Sequence, residues 1–527
     1  MMSEGREQHV PWRALAPVAG IGGLAATASF MPFNAWPLAF VAVALLAWAT
    51  ARARGVLAAV GLGWAFGAVF MFTSLVWQTS IMVASYAGLS LVMSLFYAAL
   101  GGALHLVGRL RWAPVWGAGA WALMEFVTSV FPFDGFAWMR LGYTQLDSWL
   151  AGFYPLAGAA SVTYLVALLG HLLAALVATR TSRAAVALGA AVLVTVGVGL
   201  AGGAWLPADS GAAEEVQVGW VQPGAPGGGV YGLGEARTIT FNTQAETGRL
   251  MERVRAGDEV APDLIVWPEN STDMDPRQDA PTAAAVDAAV ADAGVPVVVG
   301  TIYTDEAAQT RQTVAVRHDA AGGELVYAKR NLVPFGEWIP FRDFFLPLIP
   351  ELAYVGHQSV PGTTPGAFPV TLADGRTVEV GVAICYEVIY PETVFEAARD
   401  AQVMVVQSSN AMYQGTIQID QQFAATRVRA AEMRREVLVV TTTGVSGLVG
   451  QRGEVLDLVP DSVSASGVHA MALRTTATPA MVASRWVEYL LATQGLAGVA
   501  WGLWVLGSRR RGGTMDVGSA APVPVRS

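Results

Sequence analysis

Three stretches without a charged side chain, residues 14–50, 55–108 and 148–179, limit what this chain can fold into. An apolar run of about 20 residues is long enough to cross a bilayer as a helix. Eight such spans are predicted: 12–30, 36–51, 56–78, 82–107, 113–131, 157–178, 184–204 and, after a long polar segment, 486–507. With 54% apolar and only 14% charged residues in 527, the whole chain is too oily for a soluble protein. Past Asp209 the charge density becomes that of an ordinary globular domain. The reading is a polytopic helical membrane domain over 1–208, a polar domain over 214–480, a closing helix over 484–508 and a tail over 509–527. The first span is not read as a cleaved leader, because further spans follow it.

Arginine placement orients the spans, since basic loops stay in the cytoplasm. Arg6 and Arg13 precede the first span, Arg52 and Arg54 follow the second, and Arg109 and Arg111 follow the fourth. Arg180 and Arg183 follow the sixth, and Arg509, Arg510 and Arg511 follow the last. The alternate loops hold only Arg140. The polar domain is therefore expected outside the cytoplasm, and the tail inside. A net charge of −9 without a basic stripe argues against a nucleic-acid partner. One cysteine rules out an internal disulfide framework and a cysteine-based zinc site.

The loop 131–154 collects Phe133, Phe136, Trp138, Tyr143, Trp149 and Phe153. Such a cluster reads as an interfacial aromatic belt, or as an apolar wall beneath the polar domain. Glu125, inside the fifth span, is either functional or paired with Arg140. His105 and His171 are expected to hydrogen-bond between helices.

From 214 to 480 strands and amphipathic helices alternate, which predicts a layered α/β fold with its active residues at strand ends. Strands are expected at 215–222, 263–267, 295–303, 312–318, 323–328, 376–384, 403–408, 436–442 and 468–474. Helices are expected at 234–256, 280–293, 392–401 and 416–435. Polar groups appear where three apolar strands stop: Glu269 after Trp267-Pro268, Lys329 after Ala328, and Cys385 after Ile384. Each alone reads as a loop, surface or core residue. Yet Cys385 is the only cysteine and Lys329 the only lysine among 32 basic residues. Arginine cannot replace lysine where a compact, deprotonatable charge is needed. A thiol, an ammonium and a carboxylate together suit acyl transfer through a thioester. The ammonium lowers the thiol pKa, the carboxylate takes the proton, and the ammonium with a backbone N–H holds the oxyanion.

Trp267-Pro268-Glu269-Asn270, the run from Lys329 to Glu337 and Ile384-Cys385-Tyr386-Glu387 resemble the three signature segments of the nitrilase superfamily. That superfamily uses a Glu-Lys-Cys triad on an αββα sandwich. The segments are most similar to its membrane-embedded branch, the apolipoprotein N-acyltransferases, which insert the nitrilase-like domain before the last of eight spans. The resemblance implies Glu269 as general base, Lys329 as charge stabiliser and Cys385 as nucleophile. It implies support from Glu337, Tyr386 and Glu387. It sets Tyr231 where that family often has a tryptophan, and leaves 409–413 without a role, because Ser409-Asn410-Ala411-Met412-Tyr413 departs from its pattern.

The segment 341–355 carries Phe341, Phe344, Phe345, Leu346, Leu348 and Ile349, too apolar for a loop in water. It is a lid on its own domain or an arm in the lipid surface that passes acyl chains, with Phe341 and Phe345 as candidate substrate contacts. The resemblance implies a bacterial plasma-membrane enzyme that needs no cofactor or metal. Its partners would be a phospholipid acyl donor and a diacylglyceryl apolipoprotein acceptor. The rival readings are a membrane-anchored amidase or nitrilase, and a non-catalytic lipoprotein-binding module.

Overall fold

The computed structural model describes residues 11–211 and 214–512, with side chains through Ser508. Arg6, the side chains of Arg509, Arg510 and Arg511, and residues 513–527 lie outside the described residues. Seven helices precede the polar domain: α1 Trp12–Ser29, α2 Pro37–Ala51, α3 Val56–Ser74, α4 Val83–Val107, α5 Ala113–Val130, α6 Tyr154–Thr179 and α7 Ser182–Ala204. The stretches Val56–Ser74, Val83–Val107, Trp149–Thr179, Ser182–Ala204 and Pro479–Ser508 are long and apolar enough to cross a membrane. Helix α6 breaks at Gly158, whose φ of 76° is left-handed and suits glycine.

The polar domain holds two facing sheets. Its strands are β1 Glu215–Gln222, β2 Leu264–Val266, β3 Val297–Asp305, β4 Thr310–Asp319, β5 Gly322–Ala328, β6 Gln358–Ser359, β7 Ala367–Thr371, β8 Thr377–Ile384, β9 Val403–Ser408, β10 Val437–Thr441, β11 Ser446–Val449, β12 Val455–Val459 and β13 Ala465–Ala472. One sheet runs β13-β1-β2-β3-β4-β5 with β6 beside β4, and the other β12-β11-β10-β9-β8-β7. Val218, Leu264, Val266 and Val298 of the first meet Val380, Val382, Val405 and Leu438 of the second in an apolar core. Helices α8 Thr238–Ala256 and α9 Ala280–Ala293 cover the outside of the first sheet through Leu250, Val286 and Val290. A short α10, Arg342–Leu348, lies in the apolar arm, and α11 Pro391–Asp400 and α12 Gln418–Met433 cover the second sheet. This is the αββα sandwich. Helix α13, Pro479–Gly512, then packs back against α5 and α6.

The layer of α11 and α12 faces two ways. One apolar cluster runs from Phe66, Trp121 and Tyr154 of the membrane helices to Val394, Phe395, Val406, Val428 and Val439 of the sandwich. Thirteen of the 16 residues of α12 are buried, so its polar groups find partners inside. Glu432 Oε1 accepts from the Ala159 N–H at 2.7 Å, just past the Gly158 break, and Glu432 Oε2 pairs with Arg429 at 2.6 Å. Arg434 donates to the Gly202 carbonyl near the end of α7 at 2.6 Å.

Several local expectations change. The aromatic loop is no headgroup belt at its centre: Trp138 and Tyr143 are buried between the two halves. His105 bonds the Thr50 carbonyl on another helix at 2.9 Å, whereas His171 bonds Ala167 of its own helix at 2.8 Å. Glu125 accepts from the Leu141 N–H at 2.8 Å and from Thr163 at 2.7 Å, and lies 4.0 Å from Arg140, which also pairs with Glu488. Glu125 thus takes a structural part in the bundle.

Candidate active site

The strand order decides where the chemistry sits. Parallel β2 and β8 end at the same rim of the sandwich, where side chains in α/β folds meet their ligands. Glu269 follows β2 by three residues, and Gly300 of β3 lets the backbone there press close. A Cβ at Gly300 would stand 2.1 Å from the Pro268 carbonyl oxygen. Lys329 follows β5, its N–H bonded to Thr313 and its carbonyl to the Gly362 N–H, each at 2.9 Å. Cys385 follows β8 with a left-handed φ of 54°, a strained conformation for a residue with a side chain.

These three side chains converge. Lys329 Nζ lies 3.0 Å from Glu269 Oε1 and 2.7 Å from Glu337 Oε1, with its side chain only 1% exposed. Cys385 joins this cluster from the turn after β8, near enough for the charges of Glu269 and Lys329 both to act on its thiol. Glu269 Oε2 accepts from the Ser409 N–H at 3.0 Å, which leaves its other oxygen for Lys329 and the thiol. Glu337 Oε2 is held by the Val333 N–H at 2.7 Å.

Burial lowers the Lys329 pKa, but the carboxylates of Glu269 and Glu337 outweigh it and leave the amine well above its ordinary value. Two carboxylates share one cation, and that excess acts on the thiol. Burial first, and Glu269 next, push the Cys385 pKa up, and Lys329 offsets only part of the rise. The amine lowers the thiol pKa, as expected from the sequence, but burial and Glu269 outweigh it and the net direction is upward.

Glu387 ties the two loops together. Its Oε1 accepts from the Arg330 N–H at 2.6 Å, the Tyr327 hydroxyl at 2.7 Å and the Asn331 N–H at 3.2 Å. Its Oε2 accepts from the Ile384 N–H at 2.7 Å. The lysine loop and the nucleophile turn are therefore pinned to one buried carboxyl group. In Glu387→Gln the amide NH2 would face a donor that needs an acceptor. We expect a loss of about 1–3 kcal/mol of stability and a fall in activity, checked by thermal unfolding in detergent alongside the acyl-transfer rate.

Tyr386 turns away from the carboxylates and toward the membrane half. Its ring stacks on Trp138 and Phe136, with centroids 6.2 and 6.5 Å away, and its hydroxyl donates to the Gly135 carbonyl at 3.3 Å. Phe341 stands 73% exposed with its ring centroid 6.1 Å from that of Phe133, whereas Phe345 packs into the arm beside Phe335 and Ile349. Tyr231 is 91% exposed on a loop bonded to Met412, and the structure does not bring it into the Glu269–Lys329–Cys385 cluster. The turn 409–413, which the sequence left without a role, lines the site. Besides Ser409, it supplies Tyr413, whose phenol pKa rises through burial first and through Cys385 next.

A Glu-Lys-Cys cluster on an αββα sandwich defines the carbon-nitrogen hydrolase class, and that family matches residues 236–491. The family described as Apolipoprotein N-acyltransferase N-terminal domain matches residues 22–172. Relatives named apolipoprotein N-acyltransferase include one from Mycolicibacterium smegmatis, 32% identical over 512 residues, covering 91% of this chain and 83% of its own. One from Coxiella burnetii is 28% identical, covering 84% and 90%, and one from Methylococcus capsulatus is 29% identical, covering 83% and 86%. The chain belongs to the apolipoprotein N-acyltransferase family, and is a bacterial membrane acyltransferase.

Proposed function

We propose that this enzyme moves a fatty acyl chain from a membrane phospholipid, through a Cys385 thioester, to the N-terminal amine of S-diacylglyceryl-cysteine apolipoproteins. The observation that carries this reading is the meeting of buried Glu269 and Lys329 with half-buried Cys385, whose turn is seated against the membrane half through Tyr386. Glu269 takes the Sγ proton as sulfur attacks the ester carbonyl carbon. Lys329 Nζ and the N–H of Tyr386 stabilise the oxyanion. Collapse breaks the ester bond, Glu269 returns the proton to the glycerol oxygen, and a lysophospholipid leaves. The neutral amine then attacks the thioester, Glu269 takes its proton, and the thiol is restored. Glu337 holds Lys329, and Glu387 holds the two loops.

The arm supports a lipid source for the acyl chain. Phe341, Phe344 and Leu348 are 73%, 62% and 64% exposed. Each methylene kept from water is worth about 0.8 kcal/mol, so a long chain favours such a path. The loops meeting the sandwich carry only Arg140, while Arg52, Arg54, Arg109, Arg111, Arg180 and Arg183 gather at the opposite helix ends. That asymmetry supports a catalytic domain over 214–480 outside the cytoplasm, between a membrane domain over 1–208 and a closing span over 484–508, with the tail 509–527 inside. Intact-mass analysis of protein purified from membranes tests the reading. The expected result is a fatty acyl adduct on Cys385 that an apolipoprotein peptide discharges. An adduct that water clears as fast as the peptide does would instead make the enzyme a hydrolase.

A further inference from the structure

Two tyrosines, Tyr386 next to Cys385 in the chain and Tyr413 of the turn whose Ser409 N–H holds Glu269, each rest on a tryptophan from a different membrane-domain loop. Tyr386 stacks on Trp138 at 6.2 Å and 16°, and Tyr413 meets Trp77 edge-on at 5.2 Å and 85°. Trp77 belongs to the turn after α3, and Trp138 to the loop between α5 and α6. Both indoles are buried, and both donate to one atom, Gln421 Oε1 of α12, at 3.1 and 2.8 Å. The same amide donates through Nε2 to the Ser74 carbonyl at 3.2 Å. A carbonyl oxygen has two lone pairs, and here both are taken. Beside it Gln422 donates to Ser408 Oγ at 2.7 Å and accepts from Asn410 at 2.9 Å, steadying the turn whose Ser409 N–H holds Glu269.

We infer that Gln421 is a positioning residue for acyl transfer: by clamping Trp77 and Trp138 together it fixes Tyr386, adjacent to Cys385, and Tyr413, on the turn that holds Glu269. A buried indole N–H left without an acceptor turns its ring toward another partner. The ring carries its tyrosine with it, and a shift of about 1 Å at a reacting group can cost roughly 10²-fold in rate. Gln421 touches neither sulfur nor substrate, so it acts on the rate of thioester formation more than on lipid affinity.

The inference rests on the thioester reading, and its test separates the two. Full-length protein in phosphatidylglycerol nanodiscs is followed by intact mass as Cys385 acquires an acyl group, across a range of lipid mole fractions. Gln421→Leu is expected to lower the limiting acylation rate at least tenfold, with the half-saturating lipid fraction within twofold. Gln421→Glu, protonated in this buried setting, keeps one oxygen as acceptor for both indoles and an O–H donor for the Ser74 carbonyl, and recovers the rate to within threefold of wild type. Trp138→Phe and Trp77→Phe keep an aromatic ring against Tyr386 and Tyr413 but lose the N–H together with part of the indole face, and each give a partial loss. Combining Trp138→Phe with Gln421→Leu adds little, because the bond is already gone. Wild-type acylation by Gln421→Leu, equal losses in Gln421→Glu and Gln421→Leu, or losses that multiply in the double variant overturn the inference. A wild-type protein that takes up no acyl group overturns the thioester reading instead.

Discussion

Lys329→Arg is expected to lower apolipoprotein acylation by about 10²-fold or more while keeping the positive charge. Charge is not what the site lacks in that variant. Burial lowers the Lys329 pKa, but Glu269 and Glu337 outweigh it and hold the amine well above its ordinary range. Its compact Nζ sits 3.0 and 2.7 Å from the two carboxylates with a side chain 1% exposed. A planar guanidinium is wider, prefers two parallel bonds to one carboxylate, and has no room to withdraw toward water. It would draw Glu269 away from the thiol it must deprotonate. Mass spectrometry of lipoprotein N-terminal peptides from a complemented strain reads the loss, and near-normal triacylation by Lys329→Arg would end the assignment of Lys329.

Cys385→Ala is expected to abolish both halves of the reaction, a fall on the order of 10⁵-fold or more, since the covalent route disappears with its atom. The protein should remain folded. The turn's geometry comes from Glu387 and from Tyr386 on the membrane loop, not from sulfur. Two measurements on the purified variant check this: acyl adduct by intact mass, expected absent, and melting temperature, expected within a few degrees of wild type. Residual transfer at a tenth of the native rate would show that the chain passes directly from lipid to amine.

What the sequence revealed was local. A charge-free run needs a bilayer or a core whatever surrounds it, and all eight predicted spans coincide with helices. An apolar strand followed by a polar turn carries its own address, and so Glu269, Lys329 and Cys385 could be picked out before their meeting was visible. What stayed hidden depends on neighbours far away in the chain. The short β11 and β12 and the Pro369-containing β7 were missed because each is defined by its pairing. The upward direction of the thiol pKa stayed hidden because burial, and Glu269 after it, outweigh the amine, which spacing does not show. Tyr413 and Gln421 gave no signal in sequence, since their partners lie in the other half of the molecule. Tyr231 was placed by analogy of position, and stands in solvent.

The wall formed by α11 and α12 belongs to both halves at once, and this sets the height of the sulfur. With one side sealed to the sandwich and the other to the bundle, neither half can tilt without wetting the apolar surface of the other. Cys385 is one residue from Tyr386, which is rooted in the membrane loop. Cys385 is therefore held at a fixed height above the helices of the bundle. The molecule works like a fixed gauge, in which the bundle sets the level and the sandwich cannot slide against it.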